Sequence, residues 1–161
     1  YALRPLDLGH GELDQGQYDT PCEIFGPSAT ATLYRRTALS RLGPRPFDEE
    51  FFAYYEDVDL AWRLGQQGFV HLYVPSAVVD HCRRGPEGKP PHLRARAFAN
   101  RYLLWAKNEN PWHFLSYAPL AITWETVRLT KRLFSDPVLL TGVPKSLVRS
   151  LAIVLARARK R

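Results

Sequence analysis

Methionine is missing altogether from this chain, which begins at Tyr1. Translation ordinarily starts at methionine, so the absence predicts a fragment, a processed chain or a misplaced start. Cysteine is nearly missing too. Cys22 and Cys82 stand far apart in no metal-type spacing, which excludes a zinc cluster and reads as two reduced thiols of a cytosolic protein. Residues 1–10 carry no signal-peptide pattern. Long apolar runs are also lacking. The longest, near 115–124, stops at Glu125, so none is expected to approach the roughly 20 residues that cross a bilayer. Internal repeats and low-complexity segments are absent.

Acidic side chains are missing from the C-terminal end. The net charge is +6, from 22 basic and 16 acidic residues. Lys145, Arg149, Arg157, Arg159, Lys160 and Arg161 account for all six and leave the remainder balanced, 16 against 16. A nucleic-acid binder spreads basic residues over its folded surface, so no nucleic-acid partner is expected. A basic tail instead points to an anionic membrane face or to solubilisation.

What is present divides into two parts. Residues 1–28 are rich in Gly, Pro and Asp and read as loop with one short strand. Small and β-branched residues over 29–34 predict a strand, and 37–42 a short helix ended by Gly43-Pro44. Val58, Ala61, Trp62 and Gly65 recur at helical spacing, so 57–67 is a helix with Gly68 at its C-cap position. Residues 69–74 read as a buried strand halted by Pro75, and 77–79 as a further extended piece leading to His81. After a Gly/Pro/charge-rich loop over 84–91 the pattern turns helical. Helices are predicted over 93–108, over 112–134 with a kink at Pro119, and over 144–160 with Pro144 in the first turn. Residues 1–91 thus mix strand and helix, and 92–161 are all helix.

The stretch Phe47-Asp48-Glu49-Glu50-Phe51-Phe52-Ala53-Tyr54-Tyr55-Glu56-Asp57-Val58-Asp59-Leu60-Ala61-Trp62-Arg63-Leu64 is the most informative. Glu56, Asp57 and Asp59 crowd together although like charges repel, a pattern suited to a site that needs a base. Within one helix Asp57 and Asp59 point about 200° apart, so they cannot share a site. Asp59 lies four residues before Arg63 and is assigned to a structural pair. Asp57, at the helix start, is the one expected to face a cleft. Spacing alone equally allows an acidic helix start with ordinary capping. The neighbouring aromatics fit either core packing or a wall for a sugar ring. His81 fits a surface histidine as well as a ligand, and Arg83 and Arg84 fit a basic loop as well as a diphosphate contact.

This acidic run resembles that of family 2 inverting glycosyltransferases, the nucleotide-sugar enzymes of bacterial surface polysaccharide synthesis, with a rhamnosyltransferase-like flavour. The resemblance covers roughly 9–110. It includes Asp14-x-Gly16-Gln17-Tyr18-Asp19, Phe25-Gly26, Leu33-Tyr34-Arg35-Arg36, the acidic motif, the segment from Pro75 to His81, Asn100-Arg101 and Lys107-Asn108. It implies an α/β fold: the C-terminal part of an A-type, Rossmann-like nucleotide-diphospho-sugar transferase domain over 1–91, followed by a helical appendage over 92–161.

The resemblance further implies that Asp57 is the general base. Glu56, Phe52, Tyr55 and Trp62 would meet the acceptor, and His81 would bind a divalent cation, manganese or magnesium. The family's nucleotide-binding βαβ half and its Asp-x-Asp element do not stand in this sequence. An isolated chain is therefore expected to be inactive. The expected partners are a nucleotide-sugar donor and a glycan or lipid-linked acceptor, at the cytoplasmic face of the plasma membrane. The rival expectation is a non-catalytic remnant that binds a partner chain or membrane. The tail, with Leu147, Val148, Leu151, Leu155 and Ala158 on one helical side, is expected to bind anionic vesicles in a manner that salt abolishes.

Overall fold

The computed structural model describes residues 5–82 and 90–159. Arg83 and Arg84, read either as a basic loop or as a diphosphate contact, lie outside the described residues. The chain forms two compact units. One is built from residues 5–52 and 56–82, the other from 53–55 and 90–159.

In the first unit, β1 (Cys22–Ile24) pairs antiparallel with β2 (His71–Tyr73), Glu23 opposite Leu72. Two helices accompany them, α1 (Arg36–Ser40) and α2 (Glu56–Gln66). The core is small: Ala38 of α1 meets Leu60 and Leu64 of α2, with Tyr34, Leu39, Leu42 and Phe69 packed around them. Helix α2 ends as its glycine predicts. Gly68 takes φ +83°, and the amides of Phe69 and Gly68 donate to the carbonyls of Leu64 and Gly65. That double bond satisfies two of the helix's terminal carbonyls.

Three expected extended segments differ. Residues 29–34 form no strand, because local bonds compete for the chain: the Thr32 hydroxyl donates to the Ser28 carbonyl and Ser28 Oγ to Thr30 Oγ1. The strand expected over 69–74 shrinks to three residues and is not buried, since Leu72 faces solvent on a two-stranded ribbon. Residues 77–79 form no strand either. A turn closed by the Ala77 amide on the Val74 carbonyl redirects the chain after Pro75.

Gly26 is fixed by packing. A Cβ there would sit well inside contact distance of Ala61 Cβ on α2. Gly26→Ala is expected to cost about 1–3 kcal/mol by overpacking. Urea denaturation reads this directly, and an unmoved midpoint would show that the loop yields freely.

In the second unit, α3 (Pro91–Asn108) packs against α5 (Val143–Ala158) and the 3-10 segment Pro137–Gly142, and α4 (Pro111–Ser135) also meets that segment. Asn110 caps α4, its side chain accepting from the Trp112 amide at 3.0 Å ahead of Pro111. The helix continues through Pro119. Buried Arg101 pairs with Glu125, which also accepts from the Tyr102 hydroxyl, and the Arg101 guanidinium stacks on Phe98 at 3.7 Å. One expectation about the membrane is corrected: Pro137–Ala158 is long and apolar enough to cross a bilayer by length and composition. Lys145 and Arg149 interrupt its apolar run, which is why no single uninterrupted stretch announces it.

The approach to α2 is conformationally unusual. Phe52, Tyr54 and Tyr55 take φ of +60°, +69° and +73°, left-handed values that side chains bearing a Cβ disfavour. In the second unit the Asn100 side-chain amide donates to the carbonyls of Ala53 and Tyr54 at 2.9 and 2.8 Å. Asn100 is itself buried, so this double bond over-determines the strained backbone.

Candidate functional site

The first turn of α2 holds Glu56, Asp57 and Asp59, and the structure gives each a different environment. Asp59 is fully buried and sits 2.7 Å from both Nε and Nη2 of Arg63, whose Nη2 also donates to the Pro46 carbonyl. It belongs to the interior, as its spacing from Arg63 predicts. Asp57 is half-buried at the surface of the same helix. Its Oδ1 accepts from the Val58 amide at 2.9 Å and its Oδ2 from the Ala29 amide at 3.2 Å. The loop 26–31, rich in small residues, thereby brings a backbone N–H to the carboxylate and fixes its orientation. One carboxylate is therefore sealed and the other half-exposed, the division that a helical separation of two positions produces.

Glu56 is different again. Its Oε2 is buried with no hydrogen-bond partner among the described residues. Burial raises its pKa, its own backbone amide offsets part of that, and the charge of Asp57 raises it further. Such a group favours the folded state most when protonated. Its contribution is fully present below the ordinary glutamate range and is lost as pH rises through its elevated folded value. Glu56→Gln is expected to flatten this dependence. Thermal melts between about pH 4 and 8 should show the variant losing less stability than wild type on going to neutral pH. Parallel curves would count against it.

Tyr34 is the neighbour that sequence reasoning passed over as a site residue. Its hydroxyl is buried with no hydrogen-bond partner among the described residues. Burial, then the charge of Asp57, raises its pKa; the nearby Thr32 side chain offsets some of this, and Glu56 adds a smaller upward push. The phenol is thus within electrostatic reach of both acids. The signal was its place in Leu33-Tyr34-Arg35-Arg36, but a strand reading of 29–34 concealed which way the side chain would turn.

The expected acceptor residues occupy contrasting positions. Phe52 is exposed and Tyr55 half-buried. Trp62 stands edge-on to Phe25, ring centroids 5.8 Å apart, and lines an open depression with Glu23, Ala61, Gln66 and His71. A second depression is lined by Arg45, Phe47, Asp48, Glu49, Glu50 and Arg63. Neither of the two is lined by Asp57 or His81. His81 is exposed, and no hydrogen bond or ion pair joins it to Asp57. Among the described residues no three His, Cys, Asp or Glu side chains group closely enough to hold a metal ion, so these residues form no complete cation site by themselves.

The arrangement can orient a carboxylate with two backbone amides and present it beside a second acid that holds its proton more tightly than usual. No family model matches the chain, and no solved structure matches it significantly. Two curated proteins do. The chain is 36% identical over 132 residues to the N-acetylglucosaminyl-diphospho-decaprenol L-rhamnosyltransferases of Mycobacterium tuberculosis strains CDC 1551 / Oshkosh and ATCC 25618 / H37Rv. The match takes in 81% of this chain and spans 40% of the length of those relatives, so what it is similar to is a portion of a glycosyltransferase.

Proposed function

We propose that this chain is the acceptor-side portion of a family 2, inverting glycosyltransferase with an A-type α/β catalytic domain. It would transfer a sugar, rhamnose on the analogy of the relatives' names, from a nucleoside diphosphate to a lipid-linked acceptor at the cytoplasmic membrane face. The single observation that carries the reading is the orientation of Asp57: half-open, held by the amides of Ala29 and Val58, two residues from a buried carboxylate that is occupied elsewhere.

In this reaction the Asp57 carboxylate takes the proton of the acceptor hydroxyl as the oxygen attacks the anomeric carbon. The C–O bond to the diphosphate breaks on the opposite face, the nucleoside diphosphate departs with the electron pair, and the configuration inverts. Glu56 keeps its proton to higher pH than an ordinary glutamate and so limits the negative charge beside the base. Tyr34 offers a hydroxyl in the same electrostatic neighbourhood. The exposed ring of Phe52 and the Phe25–Trp62 pair are proposed sugar-stacking surfaces. A divalent cation, manganese or magnesium, is proposed to neutralise the leaving diphosphate. His81 would supply one ligand and residues beyond those described the rest.

The test supplies the donor-binding portion, in trans or fused, and measures sugar transfer to a polyprenyl-diphosphate acceptor. Transfer that Asp57→Asn removes supports the enzyme. A well-folded complex with no transfer would sink it in favour of a non-catalytic module.

A further inference from the structure

Helices that complete a soluble core turn their apolar side inward. In the second unit α5 departs from this. Its inward side mixes Val143 and the half-buried Ile153 with the polar Ser146, Ser150 and Arg157. Ser146 Oγ donates to the Ala99 carbonyl at 2.8 Å, and Arg157 Nη1 to the Ala106 carbonyl at 2.6 Å. Just before the helix, Gly142 lies so close to α3 that an added Cβ would stand 3.0 Å from the Ala95 carbonyl oxygen. Beside and beyond that side Leu147, Val148, Leu151, Val154 and Leu155 are exposed, with Val148 72% and Leu151 60% accessible.

Helix α4 repeats the pattern. Its Glu125 turns inward to Arg101 and Tyr102, while Leu120, Ile122, Trp124 and Val127 face out. Polar residues drawn into the seam while large apolar ones stay outside is the arrangement of helices whose surroundings are lipid.

We infer that the outer faces of α4 and α5 dock this unit into the interface of an anionic bilayer leaflet. Charge chooses this occupant over a second copy of the chain. Residues 137–159 contain Lys145, Arg149, Arg157 and Arg159 and no acid. A two-fold contact would set this cationic stretch against itself, whereas a leaflet brings anionic headgroups and hydrocarbon together. Lys145 and Arg149 can reach the headgroups by extending their stems, and the exposed Trp112 and Trp124 suit a membrane interface. Because apolar burial shares the work with charge, salt should weaken binding without removing it, in contrast to the purely electrostatic expectation from the tail. The inference adds a membrane seat to the transfer reaction proposed above, but its test reads binding, so the two fail separately.

Flotation of the full chain with vesicles of phosphatidylcholine containing about one third phosphatidylglycerol tests it. The wild type should float, with partial loss at high salt. Leu151→Glu/Leu155→Glu, at exposed positions, should bind about tenfold or more weakly with an unchanged circular dichroism spectrum. In the unsubstituted chain, brominated lipid should quench tryptophan emission, which needs no variant to fold. Failure to float, undiminished floating of the double variant, or unquenched tryptophan would each overturn the inference. So would a lipid-free dimer that the double variant dissociates while neither form floats.

Discussion

Arg63→Met is expected to destabilise the first unit by about 3–5 kcal/mol, a large share of the stability of any domain this small. The guanidinium supplies two donors at 2.7 Å to Asp59, a carboxylate with no solvent exposure. Removing it leaves a buried charge to bear its desolvation without that cation. The converse change, Asp59→Ala, should cost less. Arg63 is 25% exposed and keeps the Pro46 carbonyl, so its orphaned charge can turn to water. Chemical denaturation of both variants reads the asymmetry. An Arg63→Met protein as stable as Asp59→Ala, or more so, would mean that the pair is not the anchor of α2.

Asp57→Asn should leave stability nearly unaltered and lower sugar transfer by about 10²–10⁴-fold, the usual worth of a positioned base. The two carboxylates lie about 200° apart around one helix. Asp57 is half-open and both of its oxygens accept from backbone amides; the asparagine oxygen can still accept one of these while losing the capacity to take a proton. The loss should appear in kcat more than in KM, because the proton moves only as the transition state forms. Equal transfer by the variant and wild type, in the complemented reaction, would remove Asp57 from the role. A loss accompanied by unfolding would reassign it to the helix start. Together the two variants separate a carboxylate that holds the fold from one that serves the chemistry.

The sequence exposed those features that rest on local, periodic chemistry. Helix α2 follows from Val58, Ala61, Trp62 and Gly65, and its end from Gly68. The Asp59–Arg63 pair follows from a spacing of four. The three long helices of the second unit fall within two residues of their expected limits, because each begins at or beside a proline. Extended structure was less legible. Residues 29–34 have strand-like composition, yet Ser28, Thr30 and Thr32 hydroxyls satisfy one another and the backbone, and composition does not reveal a competing partner. The direction in which α5 faces was equally hidden. A helical wheel separates Leu147 and Leu151 from Ser146 and Ser150 but cannot say which side meets α3. The same limit applied at the site, where Tyr34 packs on a cluster that draws Leu60 and Leu64 from far along the chain.

The three left-handed aromatics ahead of α2 bear on how this segment can vary. Each such φ costs on the order of 1 kcal/mol or more for a residue with a side chain, and almost nothing for glycine. A library sorted only for heat resistance should therefore drift toward glycine or asparagine at 52, 54 and 55. It would shed the rings in the process and trade recognition for robustness, one residue at a time.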